Sequence, residues 1–129
     1  MDENVNDTRT TLENLKKLVA QYRDDRGWGK HHTPKNLSMS IAIEAAELME
    51  LFQWDEYTRR NQDKIADELA DVLIYCFNFA DTTDIDISTA FRNKLRKAAE
   101  KYPIELFKPG QDSPEEYNRI KQEHRKGRR

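Results

Sequence analysis

The chain is poor in everything that would fix it covalently or break it often. It has one cysteine, Cys76, set inside an apolar run, so no disulfide can form within the chain. That suits a reducing compartment, and a lone thiol among apolar neighbours reads as a small packing residue. Glycine and proline number four each, too few for a fold built from many tight turns. Strand-type alternation and internal repeats are both missing. No apolar run approaches the roughly 18 residues needed to span a bilayer, so no membrane partner is expected. The opening segment MDENVNDTRT is acidic and polar, unlike the apolar core of a secretion signal, which makes the cytoplasm the expected location. Neither sign of charge dominates. Lys and Arg total 22 against 24 Asp and Glu, a net charge of -2, and nothing global points to nucleic acid.

What is present favours helices. Charged residues make up 36% of the 129 and hydrophobic residues another 36%, with Leu, Ala, Glu, Lys and Arg prominent. The length fits one domain with one core. A mean hydropathy of -1.01 is low for a compact domain and implies thin helical layers completed by oligomerisation.

Apolar residues at three- and four-residue spacing outline four main helices and a short tail helix. The first is expected from Asp7 or Thr8 to about Arg26, with Leu12, Leu15, Val19 and Tyr22 as its stripe. Residues 27–35, containing Trp28, His31, His32 and Pro34, read as a loop. The second helix is expected over residues 36–53, capped by Asn36 and packed through Leu37, Ile41, Ala45, Leu48 and Phe52. The third is expected over residues 63–81, packed through Ile65, Leu69, Val72, Cys76 and Phe79. Residues 82–86 read as a turn, and the fourth helix carries Ile87, Ala90, Phe91, Leu95 and Ala98 before Tyr102-Pro103 stops it. Beyond the loop signal Pro109-Gly110, Ser113-Pro114-Glu115-Glu116 has the form of a capping box. The expected fold is all-α and four-helix bundle-like, with residues 1–105 as the working domain. Residues 106–129 form an extension with a short helix and a basic tail.

Carboxylates on the second and third helices carry the functional argument. Glu44-Ala45-Ala46-Glu47 and Glu68-Leu69-Ala70-Asp71 each place two carboxylates three residues apart, hence on one helix face. Such pairs are common on solvated helices, and one alone says little. Two pairs, both beside an apolar seam and among alanines, converge if the helices are antiparallel neighbours. Four carboxylates so gathered repel one another, and a divalent cation relieves the repulsion. A donor set of oxygens alone selects Mg²⁺, with Mn²⁺ as the substitute, over zinc. A di-iron site would need Glu-x-x-His, which the bundle helices lack. A cation held from one side by carboxylates leaves positions open for phosphate oxygens, which points to phosphoanhydride hydrolysis.

The surrounding residues resemble the MazG-like all-α nucleoside triphosphate pyrophosphohydrolases, and within them the small dCTP pyrophosphatase branch. Four ordered blocks over about residues 10–105 carry the resemblance. They are Trp28-x-x-x-His32-x-Pro34-x-Asn36-Leu37, Glu44 to Trp54, Asp67 to Tyr75, and Lys94-Leu95 with Lys101-Tyr102-Pro103. The resemblance implies metal ligation by Glu44, Glu47, Glu68 and Asp71, with Glu47 as the base for water and Glu44 as the other catalytic candidate. It implies cleavage of a (d)NTP to the monophosphate and pyrophosphate, in nucleotide-pool house-cleaning, by a homodimer or homotetramer. It also lifts His32 above an ordinary loop histidine and Lys94 above an ordinary helix lysine as substrate contacts. One position departs from the pattern: Ala98 stands where the family often has a substrate-contacting Asn, which removes a donor and an acceptor.

Three aromatic side chains have two readings each. Trp28 and Trp54 offer faces for stacking a base, or pack as core or subunit contacts. Tyr75, one turn past Asp71, reaches a phosphate or a carboxylate, or packs in the core. The alternatives to an enzyme are a nucleotide-binding regulatory protein, which the Ala98 departure motivates, and a helical interaction module.

Overall fold

In a computed structural model the protein is all-α, and residues 4–54, 56–57, 59–107 and 114–127 are described. Five helices follow in order: α1 Leu12–Asp25, α2 Pro34–Glu50, α3 Gln62–Thr83, α4 Ile87–Lys101 and α5 Pro114–Lys126. They fall into two compact units, Met1–Asp86 with α1 to α3 and Ile87–Arg129 with α4 and α5.

Four boundaries differ from the expected ones: α2 stops at Glu50, short of residue 53, with Leu51 as its C-cap, and the other three have a local reason each. The start of α1 is later because Thr11 and Asn14 form the capping box: Thr11 Oγ1 accepts from the Asn14 N–H at 3.1 Å, and the Thr11 N–H donates to Asn14 Oδ1 at 3.2 Å. Asp7 and Thr8 belong instead to a separate turn in which the Thr10 N–H donates to the Asn6 carbonyl at 2.9 Å. The cap of α2 is Thr33, not Asn36. Thr33 is extended (φ -78°, ψ 153°), accepts from the Asn36 N–H at 3.1 Å, and is followed by Pro34 at the first helical position. Asn36 reaches back to donate from Nδ2 to the His31 carbonyl at 3.2 Å. Finally, α3 continues through Thr83 and closes with Asp84 in the left-handed region (φ 56°) and the Ile85 N–H on the Ala80 carbonyl at 2.9 Å. The expected capping role of Ser113 and the Pro109-Gly110 loop lie outside the described residues.

In the first unit α2 and α3 pack along their lengths, and α1 packs on α3. The chain enters α2 beside the C-terminal part of α3, where His32 and Asn78 line one cavity, and has moved back along α3 by the time Glu44 meets Glu68 and Asp71. The two helices are therefore antiparallel. Arg23 at the end of α1 ties to α3 through a 2.7 Å ion pair with Asp81.

The apolar stripes are only half covered. Among the described residues the buried apolar side chains are Leu37, Phe77, Ala80 and Ile120. Leu69, placed in the α3 seam by its spacing, is 49% exposed, and Met39, Ile43 and Met49 of α2 are exposed too. In the second unit Tyr102 stacks on Tyr117 with centroids 5.2 Å apart, and Arg119 braces α5 by donating to Glu123 at 2.8 Å and pairing with Glu116. No helix of the described chain is long and apolar enough to cross a membrane.

Candidate functional site

Glu44 of α2 and Glu68 and Asp71 of α3 each bring a carboxylate oxygen within 4.8 Å of the other two. The i, i+3 spacing sets Glu68 and Asp71 on one face, and the antiparallel packing turns that face to Glu44. One oxygen of Glu44 and one of Glu68 are buried without a hydrogen-bond partner. A buried acceptor without a partner is costly, and a cation is the partner an all-oxygen cluster accepts. The trio therefore fits a metal ion. Its electrostatics say the same: burial, then the bond and charge of Glu47, then the charges of Asp71 and Glu68 push the Glu44 carboxyl up to about 7. Burial, followed by the charges of Glu47 and Asp71, raises Glu68 as well.

Glu47 is not a member of this trio. It lies on the more exposed side of α2, close enough to Glu44 and Glu68 to raise both, and borders a shallow groove with Ile43 and Met49.

Glu44 and Asp71 of the trio line a cavity of about 520 Å³ that runs along α3. This is the size of a small-molecule pocket. Leu15, Leu18 and Val19 of α1 and Ile74 of α3 form its apolar wall. Trp28 and Tyr75 line it, as does Tyr22, whose ring meets Trp28 edge-to-face at 5.7 Å with the Arg26 guanidinium 3.6 Å over the Tyr22 ring. Gly27 in the left-handed region (φ 63°) makes the turn that swings Trp28 back onto α1. His32 also lines the cavity; its Nδ1 is buried without a partner, and burial, aided by Arg23 and His31, lowers its pKa.

Trp54 is 86% exposed and does not line the cavity. Lys94 belongs to the second unit, where it borders a shallow recess with Ala98 and Lys101.

Sequence reasoning passed over Arg23 and Asn78. Arg23 extends the α1 stripe of Leu15 and Val19 by one more turn, and Asn78 continues the polar row Glu68, Asp71, Tyr75 at spacings of three, four and three. That row was the available signal. Asn78 is 4% exposed and accepts, at a long 3.5 Å, from Arg23 Nη1. Arg23 Nε donates to Asp24 at 2.9 Å.

Comparison with known proteins gives a consistent picture. The MazG-like family profile matches residues 39–117. The dCTP pyrophosphatase 1 of Mus musculus is 33% identical over 104 residues, 74% of this chain and 61% of that protein. The Homo sapiens protein of the same name is also 33% identical over 104 residues, with the same coverage. The chain thus spans about three fifths of the length of the curated relatives it matches. A solved structure, a pyrophosphatase from Archaeoglobus fulgidus, superposes with a TM-score of 0.68 at 38% identity, over 78% of this chain and 99% of that one.

Proposed function

This chain belongs to the MazG-like family, and from that premise we propose that it is a pyrophosphohydrolase that cleaves a (d)NTP to the monophosphate and pyrophosphate, clearing unwanted nucleotides. The observation that carries this reading is the buried, unpartnered oxygen on each of Glu44 and Glu68, in a trio whose Glu44 and Asp71 line a nucleotide-sized cavity. Relatives named for dCTP pyrophosphatase activity, and a structural neighbour named a pyrophosphatase, support it.

Glu44, Glu68 and Asp71 would hold Mg²⁺, with Glu47 as the fourth ligand or as the group that orients water. When bound, the ion supplies charge neutralisation for the phosphates and a template for their oxygens. The chain's own residues do the rest. Glu47, beside the trio but open to solvent, would accept a proton from an attacking water. Trp28 gives a base a flat face at the cavity rim, and His32 and Tyr75 offer polar atoms along its length.

Trp54 and Lys94 enter this reading as substrate contacts made in an assembly. The exposed Met39, Ile43 and Met49 on α2 and Leu69 and Leu73 on α3 support a homodimer or homotetramer, because single side chains scattered on a surface would not line two adjacent helices. In such an assembly Trp54, beside that face in sequence, would reach a neighbouring subunit's nucleotide. The reading treats residues 1–105 as the working domain and places the protein in the cytoplasm, where its substrates are.

A panel of dNTPs with Mg²⁺, followed by release of pyrophosphate and monophosphate, tests the proposal. Pyrophosphate with monophosphate is expected. Metal-dependent nucleotide binding without products would make the chain a binding protein, and neither binding nor turnover would leave a helical interaction module.

A further inference from the structure

Residues 26–33 join α1 to α2 as a strap and carry Trp28 and His32 into the cavity. The strap makes one short 3-10 turn, Trp28–His31, closed by the His32 N–H on the Gly29 carbonyl at 3.1 Å. A single turn of this kind has poor hydrogen-bond geometry, so the position of the strap depends on side chains outside it. Two anchors hold its flanks. Tyr22 of α1 meets Trp28, and Asn36 of α2 donates to the His31 carbonyl.

A third anchor lies beneath the middle. A Cβ placed on Gly29 would stand 3.6 Å from Arg23 Nε and 3.7 Å from Arg23 Cδ, so the strap runs over the Arg23 side chain with room for a single carbon between them. Arg23 is itself held on two sides. Its Nε donates to Asp24 at 2.9 Å, its Nη1 pairs with Asp81 of α3 at 2.7 Å, and its side chain is only 14% exposed. Asp81 sits three residues before the end of α3, where a negative charge opposes the helix dipole. The guanidinium offsets that cost, and through it the strap is linked to α3.

Resting on the pyrophosphohydrolase reading, we propose that Arg23 and Asp81 are positioning residues: their ion pair holds the strap against α3 and so sets Trp28 and His32 for nucleotide binding. The reacting phosphates belong at Glu44, Glu68 and Asp71, which stand on α2 and α3 and not on the strap. Loosening the strap therefore weakens contacts remote from the chemistry, made alike in the ground state and the transition state. Such a loss raises KM and spares kcat. A pair that served stability alone would change neither in a folded variant. Because Asp81 is half exposed, the pair adds little to global stability, and variants that break it should fold. Arg23 lines the cavity but Asp81 does not, so Asp81→Asn separates positioning from direct contact with the nucleotide.

The experiment measures kcat and KM on the best dNTP substrate for the wild-type protein and for Asp81→Asn, Asp81→Glu, Arg23→Met and the double variant Arg23→Met/Asp81→Asn. Thermal melting checks folding. Acrylamide quenching of Trp28, in chains whose other tryptophan is removed by Trp54→Phe, reads the strap without nucleotide. Asp81→Asn and Arg23→Met are each expected to raise KM at least about fivefold, with kcat within about twofold, and to make Trp28 easier to quench. Asp81→Glu keeps the carboxylate and should hold KM within about twofold of wild type. The double variant should be no worse than Arg23→Met, because paired residues are not additive. Asp81→Asn keeps Arg23 in place and remains readable if Arg23→Met fails to fold. An unchanged KM in Asp81→Asn, a fall in kcat as large as the rise in KM, or an additive double variant overturns the proposal. So does unchanged quenching of Trp28. No turnover of any nucleotide by the wild-type protein is a different failure. It removes the hydrolase reading, and the quenching alone then decides whether the pair holds the strap.

Discussion

Glu44 on α2 and Glu68 on α3 approach within 4.8 Å, and each keeps one carboxylate oxygen buried and without a partner. Two acceptors in that position repel each other and have lost their water, so without a cation the fold carries a local conflict. Much of what can be tested about the protein follows from how that conflict is resolved.

Relieving it chemically should separate stability from activity. Asp71→Asn and Glu47→Gln each remove a negative charge from beside the pair, and both are expected to lower turnover by about 100-fold or more, the scale of losing a general base or a metal contact. The melting temperature without divalent cation should stay level or rise. Lys121→Ala, a substitution on α5, should keep the rate within about twofold. Wild-type rates with Mg²⁺ in either acidic-site variant would remove that residue from the chemistry.

The same pair makes stability depend on pH. In the folded chain the Glu44 carboxyl is pushed from its ordinary 4.5 up to about 7, chiefly by burial and then by Glu47. The folded state thus holds this proton more tightly than the unfolded chain does. The resulting stabilisation is complete below about 4.5 and is lost as pH rises through about 7. Melting of the cation-free protein should show this downward slope over that window, and Glu44→Gln should flatten it. Because ligation requires the deprotonated form, the gain in melting temperature on adding Mg²⁺ should grow across the same window. A Glu44→Gln variant with an unchanged slope would contradict the assignment.

Self-association is expected to depend on the uncovered face of α2. Ile43 is 55% exposed, with Met39 and Met49 exposed on the same helix. Ile43→Glu places a charge at the centre of a face that a second subunit would bury, which is strongly unfavourable unless the charge is paired. Analytical ultracentrifugation should find an oligomer for the wild-type chain and mainly single chains for Ile43→Glu. Equal masses for the two would take the contact away from this face.

The turn before the cavity gives a prediction about backbone alone. Nothing lies within 4 Å of a Cβ placed on Gly27, so Gly27→Ala meets no steric obstacle. Its φ of 63° still penalises an L-residue by about 1–2 kcal/mol. Chemical denaturation should show a loss of that order. A loss of Trp28 packing on Tyr22, visible as a change in tryptophan fluorescence, should accompany it.

The sequence by itself determined the helices and the acidic pairs, because both are local. Apolar spacing repeats every three to four residues whatever the partner, and two carboxylates three apart share a helix face in any context. Local capping was less legible: Asn36 and Thr33 both carry cap-competent side chains, and only backbone conformation chose Thr33. Tertiary structure decided which side chains meet. Helix register and crossing joined Glu44 to Glu68 and Asp71 but left Glu47 outside the tight trio. The same packing carried Arg23 across to Asn78 and Asp81 and kept Trp54 in solvent. Such meetings depend on how one rigid helix sits against another, a relation that residue spacing within either helix does not encode.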